Sequence, residues 1–185
     1  MEHLASHGYP VPAVYEASGP GMLLGRVPGP TLSQYLATRP WRINWAAHIL
    51  RSLLDRLATV PPAPGLPHLF GAGDAILHLD LHPMNVLLGP SGPVVIDWPN
   101  AALGPSAADV AQSWLLVYTS QVPSPTAIRP VVRAGQRLLA RRLLPRHDPA
   151  RRLIPAVATH RITDINLTEI ERRRVARLTG PAREP

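Results

Sequence analysis

The 185-residue sequence contains no cysteine and no lysine. Without cysteine there can be no disulfide, no thiolate zinc site and no cysteine nucleophile. Every one of the nineteen basic residues is therefore an arginine. No uninterrupted apolar run approaches the roughly 18–20 residues of a membrane span. No basic segment followed by an apolar one opens the chain, so no signal peptide is visible and a soluble cytoplasmic protein is expected. Aromatic residues are few, with one Phe, four Tyr and four Trp. That leaves little for the stacking platforms of single-strand nucleic-acid binding, and nucleic acid is an unexpected partner.

What is present is ample for a folded domain. Apolar residues make up 45% of the chain, which predicts one core, or one core with a small appendage. Nineteen basic against twelve acidic residues give a formal charge of +7. An excess of this sign favours anionic partners, nucleotide phosphates among them. The arginine-only usage, beside abundant Pro, Ala and Gly, also carries the mark of coding bias. The densest basic cluster, Glu171 to Arg177, falls in a helical pattern and is expected to form a solvated face.

Along the chain, Gly8, Pro10 and Pro12 break an initial helix. Ala13 to Ala17 and Met22 to Val27 are short apolar strands joined by the turn sequence Ser18-Gly19-Pro20-Gly21. Thr31 can cap a helix that starts at Leu32. Ile43 to Thr59 is an amphipathic helix with Trp45, Ile49, Leu53 and Leu57 on one face, ended by the Pro-rich stretch Val60 to Gly65. Ala75 to Leu77, Val86 to Leu88 and Val94 to Ile96 are strand candidates, the last two joined through Gly89 to Pro93 as a hairpin. Helices follow over Ser106 to Thr119 (with Ser106 capping), Thr126 to Leu144, Arg151 to His160 and Thr168 to Leu178. Strands first and helices after predict an α+β arrangement.

The stretch Ile76 to Leu88, ILHLDLHPMNVLL, sets His78, Asp80, His82 and Asn85 within an apolar run. Asp97 follows at the end of the next strand. Phosphoryl transfer from a nucleotide requires such a set: hard-oxygen ligands for a divalent cation that bridges the phosphates, and a carboxylate to orient an acceptor hydroxyl. His82 either touches substrate or caps a backbone carbonyl. The other histidines lack metal-ligand spacing.

These residues resemble the aminoglycoside phosphotransferase family, whose members share the protein-kinase-like fold. The catalytic loop H-G-D-x-x-x-x-N is matched by His78-Leu79-Asp80-Leu81-His82-Pro83-Met84-Asn85, and the I-D-[WF] strand end by Ile96-Asp97-Trp98. The resemblance implies Asp80 as catalytic base and Asn85 and Asp97 as magnesium ligands. It implies loop support from His78 and from Asp109, which would brace the catalytic loop through its backbone amides. It further implies an ATP hinge in which the backbone of Gly25, Arg26 and Val27 holds adenine. The similarity spans roughly residues 4 to 178. It divides the chain into residues 1–30, remnant of an N-terminal lobe with its hinge, and residues 31–185, a mostly helical C-terminal lobe.

Two departures shape the expectation. Leu79 stands where the family has Gly, and the family's glycine-rich loop, strand lysine and helix glutamate have no counterpart before the hinge. The leading expectation is an ATP- and Mg2+-dependent small-molecule kinase that phosphorylates a substrate hydroxyl. The alternative is an N-terminally truncated, inactive remnant that binds a nucleotide or a partner protein. The acids Asp148, Asp164, Glu169 and Glu171 sit among many arginines, which favours a neutral hydroxylated acceptor over a polycation.

Overall fold

The computed structural model describes residues 1–18, 21–122 and 124–179. It is a mixed α+β protein of seven α-helices and three two-stranded antiparallel sheets among these residues. The chain begins with α1 (Glu2–Ser6), then β1 (Val14–Ser18) and β2 (Gly21–Leu24). These two strands pair as the expected hairpin, although its Gly19-Pro20 connection lies outside the described residues. The second strand is shorter than the sequence suggested. Gly25 still donates to the carbonyl of Ala13, but Pro28 and Pro30 follow and cannot extend a ladder. The hairpin leaves Tyr15, Met22 and Leu23 more than half exposed. By contrast, Leu4 of α1 and the following Tyr9 are buried in the main core, and Tyr9 donates to the Leu53 carbonyl.

Thr31 caps α2 (Leu32–Thr38) through a reciprocal capping box with Gln34, which satisfies free amides at the helix start. The helix α3 (Ile43–Leu57) is amphipathic as expected, but its buried face is rotated. Ala46, Leu50, Leu53, Leu54 and Leu57 are buried, while Trp45 and Ile49 are only half-buried at its margin. The small Ala46 and Ala47 permit the close approach that a Trp-centred face would have blocked.

Next, β3 (Ala75–Leu77) pairs not with its hairpin neighbours but with β6 (Ala102–Gly104), a strand the sequence pattern did not announce. Between them, β4 (Val86–Gly89) and β5 (Gly92–Val95) form a hairpin turned by Pro90-Ser91. Ile96 lies just past β5 rather than within it. The helix α4 (Ser106–Thr119) has eleven buried residues and packs against α3, α5 (Arg129–Leu143), α6 (Ile154–Arg161) and α7 (Glu169–Ala176). A helix apolar on nearly all sides belongs at the centre of a fold. Its N-cap is Pro105 rather than Ser106, and no side chain caps it.

The basic cluster on α7 is not simply solvated. Arg174 donates to the carbonyls of Thr119 and Ser120 at the end of α4, and Arg172 to those of Ile162 and Asp164. These arginines bond carbonyls at or just beyond the C-terminal ends of α4 and α6, where intrahelical donors run out. No helix among the described residues is long and apolar enough to cross a membrane.

Candidate active site

The polar residues of the Ile76–Leu88 run occupy the loop between β3 and β4. His78 follows the last residue of β3 and is fully buried, with its ring 4.4 Å from that of Trp98. Its Nδ1 lies 3.1 Å from the Asp80 amide nitrogen, and its Nε2 lies 3.0 Å from the Ile96 carbonyl. The amide can only donate, so Nδ1 is the acceptor and Nε2 carries the proton. Burial accordingly lowers the His78 pKa below the usual imidazole value, against the pull of Asp109 and the other nearby carboxylates. The ring is a neutral strut that ties the loop to the end of β5.

Leu79 takes φ of 60°, a left-handed conformation that costs a non-glycine residue roughly 1–2 kcal/mol. Two side chains of α4 hold it there. The buried Asp109 carboxylate accepts from the amides of His78 at 2.9 Å and Leu79 at 2.8 Å. One turn further on, Gln112 donates to the Leu79 carbonyl at 3.2 Å. Residues three apart share a helix face, so the first turns of α4 grip both sides of this peptide. Burial raises the Asp109 pKa, with the His78 ring and the two amides acting in the opposite sense. A leucine can thus replace glycine because its side chain is buried in the core while its backbone is clamped.

Asp80 projects from this clamp. The Asn85 amide donates to its backbone carbonyl and to its Oδ2, both at 3.0 Å. His82 Nε2 lies 3.7 Å from Oδ2, and Arg161 Nη1 lies 3.9 Å from Oδ1. Burial would raise the Asp80 carboxyl, but His82, Arg161 and His78 together outweigh it and hold it below the ordinary carboxylate value. Instead of capping a carbonyl, His82 accepts the Met84 amide through Nδ1.

Asn85 and Asp97 are brought together by the hairpin. Val86 pairs with Val95, and Ile96 donates to the Asn85 carbonyl at 3.1 Å. Asp97 therefore follows the residue that faces Asn85. Its own φ is 69°, which turns the chain sharply after Ile96. Among the described residues its carboxylate makes no hydrogen bond or ion pair, and Asn85 Oδ1 accepts none. Two residues thus present uncommitted hard oxygens, which suits a magnesium ion that brings most of its ligands from phosphates and water. Among the described residues no group of three or more His, Asp or Glu side chains is placed to hold a metal unaided.

Val27 lies over the other end of this hairpin, while Gly25 stays paired with Ala13. The space a Cβ on Gly89 would take is bounded by Val27 Cγ1 at 3.1 Å, and Leu88 donates to the Pro30 carbonyl at 2.9 Å. Gly29 sits so close to the Leu88 carbonyl that any side chain there would collide with it. Asn85 and Gly89 are four residues apart on an extended strand, a separation of about 13 Å.

The contacts of two groups with Asp80 were not foreseen. Arg161 ends α6 and also pairs with Asp164 at 2.9 Å, and His82 faces Asp80 from within the loop. The Arg161–Asp164 spacing, three residues apart at a helix end, signals that ion pair but not its place beside Asp80.

The fold and this loop define a mixed α+β protein with one clamped carboxylate, an amide and a second free carboxylate around a single loop. A family model described as the phosphotransferase enzyme family matches residues 35–153. The chain belongs to that family. The match includes Asp80, Asn85, Asp97 and Asp109, and excludes Gly25 to Val27 and Arg161. Comparison with curated proteins finds no match.

Proposed function

We propose that the protein is an ATP-dependent phosphotransferase of protein-kinase-like fold that moves the terminal phosphate to the hydroxyl of a small molecule. The observation that carries this reading is the immobilised Asp80. Its Oδ2 is taken by Asn85, while Oδ1 has only the loose Arg161 contact and is left to receive an acceptor hydroxyl. A carboxylate with a lowered pKa is a weak base, so its chief part is to orient the hydroxyl and accept its proton late in transfer.

Asn85 Oδ1 and the Asp97 carboxylate are the residues that would hold magnesium, which when bound neutralises charge on the phosphates. Asn85 thereby has two tasks, since its amide nitrogen aims Asp80 while its oxygen stays free. The backbone of Gly25, Arg26 and Val27 receives the base, and the nucleotide runs along the β4–β5 hairpin toward Asn85. His78 and Asp109 fix the loop and touch no reactant. In this reading residues 31–185 are the catalytic lobe with α1 packed upon it, and the exposed hairpin with its linker to residue 30 is the hinge side.

The test is ADP release from MgATP across a panel of small hydroxylated acceptors. Asp80→Asn should lower turnover by about 10²–10⁴-fold, the usual worth of a general base, with nucleotide affinity retained. Equal turnover in wild type and Asp80→Asn would refute the assignment.

A further inference from the structure

Beside the Asp80 loop, α4 and the end of α6 enclose a half-open cavity of about 230 Å3. Leu79 and Arg161 both line it, and Arg161 reaches toward Asp80 Oδ1. Arg161 thus joins the cavity wall to the Asp80 oxygen that Asn85 leaves uncommitted, 3.9 Å away. It is smaller than the roughly 300–1,000 Å3 of pockets that take drug-sized ligands.

The charges within it cancel. Arg161 and Asp164 pair at 2.9 Å and are both mostly shielded from solvent. The remaining polar lining comes from Asn100, Gln112, His160 and Thr163, none of which carries a fixed charge. A polyanion would find no unpaired cation there. A polycation would find no unpaired carboxylate among the lining residues, since Asp164 is paired with Arg161.

The free hydrogen-bonding groups are of mixed sense. Thr163 donates its hydroxyl proton to the His160 carbonyl at 2.8 Å, so its oxygen faces a ligand as an acceptor. Gln112 is oriented by its bond to Leu79, and its Oε1 has no partner among the described residues. Asn100 is exposed and makes no side-chain hydrogen bond with another described residue. The loop that carries Thr163 and Asp164 is itself built, because Arg172 holds the carbonyls of Ile162 and Asp164 at 2.8 and 3.2 Å. Two acceptors, the Thr163 hydroxyl oxygen and Gln112 Oε1, beside the Asn100 amide, which can donate and accept, in a charge-neutral pocket suit hydroxyl groups, each of which donates and accepts at once.

We infer that this cavity is the acceptor site and that its ligand class is a small, neutral polyhydroxylated molecule, with Arg161 the residue that sets specificity by neutralising Asp164. The inference rests on the phosphotransferase reading of Asp80. Ligand-observed NMR on the full chain, with MgATP binding measured separately, tests it. The probes are glucose, ribose and myo-inositol as neutral polyols, spermidine as a polycation and glucose 6-phosphate as an anion.

At least one neutral polyol should bind in preference to both charged probes. Thr163→Val and Asn100→Ala should each weaken it about fivefold to tenfold, the value of one hydrogen bond, while MgATP affinity is unchanged. Arg161→Met should uncover Asp164 and admit spermidine. If MgATP binds and no polyol does, or if a charged probe is preferred by the wild type, the inference fails and the phosphotransferase reading stands. If MgATP does not bind, it is the phosphotransferase reading that fails.

Discussion

Replacing Asp109 with alanine leaves two buried amides, those of His78 and Leu79, without the acceptors they have at 2.9 and 2.8 Å. A buried donor left unsatisfied costs about 1–3 kcal/mol, so the pair predicts about 2–6 kcal/mol. Some is returned, because the cost of burying the carboxylate disappears and Leu79 is free to leave its left-handed conformation. Against a domain stability of about 5–15 kcal/mol, the alanine variant is marginal. Asp109→Asn keeps one acceptor oxygen and serves as the milder case, with an expected loss of about 1–3 kcal/mol. In urea, with a slope near 2 kcal/mol per molar, the midpoints should fall by about 1–3 M for alanine and by about half that for asparagine. A loss below 1 kcal/mol in the alanine variant would show that Asp109 does not brace the loop.

The neutral, doubly hydrogen-bonded His78 makes stability depend on pH. Its folded pKa lies below the unfolded value, so the unfolded chain takes up the proton first; the contribution is full above about pH 6.5 and declines as pH falls below it. Urea midpoints between pH 7 and 5 should show this decline, and His78→Gln should flatten it; an unchanged slope would count against the neutral strut. Gly29→Ala puts a side chain against the Leu88 carbonyl and should cost about 2–4 kcal/mol, or detach the hinge segment from β4. Thermal unfolding measures the first outcome and amide exchange at Leu88 the second, and neither change would be expected if the segment were free of the hairpin.

Much of the candidate site was legible because it is local. His78, Asp80 and Asn85 fall in one loop, and Asp109 lies in the first turn of a helix whose bounds the apolar pattern gave correctly as Ser106 to Thr119. What escaped was non-local or disguised. β6 is three residues long and pairs with a strand about 25 positions earlier, too short for any alternation to show. Arg161 reaches Asp80 from a helix eighty residues further on, and nothing in sequence spacing links them. The left-handed Leu79 was hidden because a leucine gives no sign of positive φ; only the Asp109 and Gln112 contacts reveal why it is tolerated. The burial of Ala46 rather than Trp45 on α3 was likewise decided by its neighbours, since both lie on adjoining faces of one helix.

The central question is whether Asn85 Oδ1 and Asp97 hold the metal of a nucleotide. Calorimetric titration of ATP with and without Mg2+, into wild type and Asp97→Asn, tests this most directly. Magnesium-dependent binding by the wild type, weakened about tenfold or more in Asp97→Asn, is the predicted result. Binding that is indifferent to magnesium, or equal in the two proteins, would contradict it.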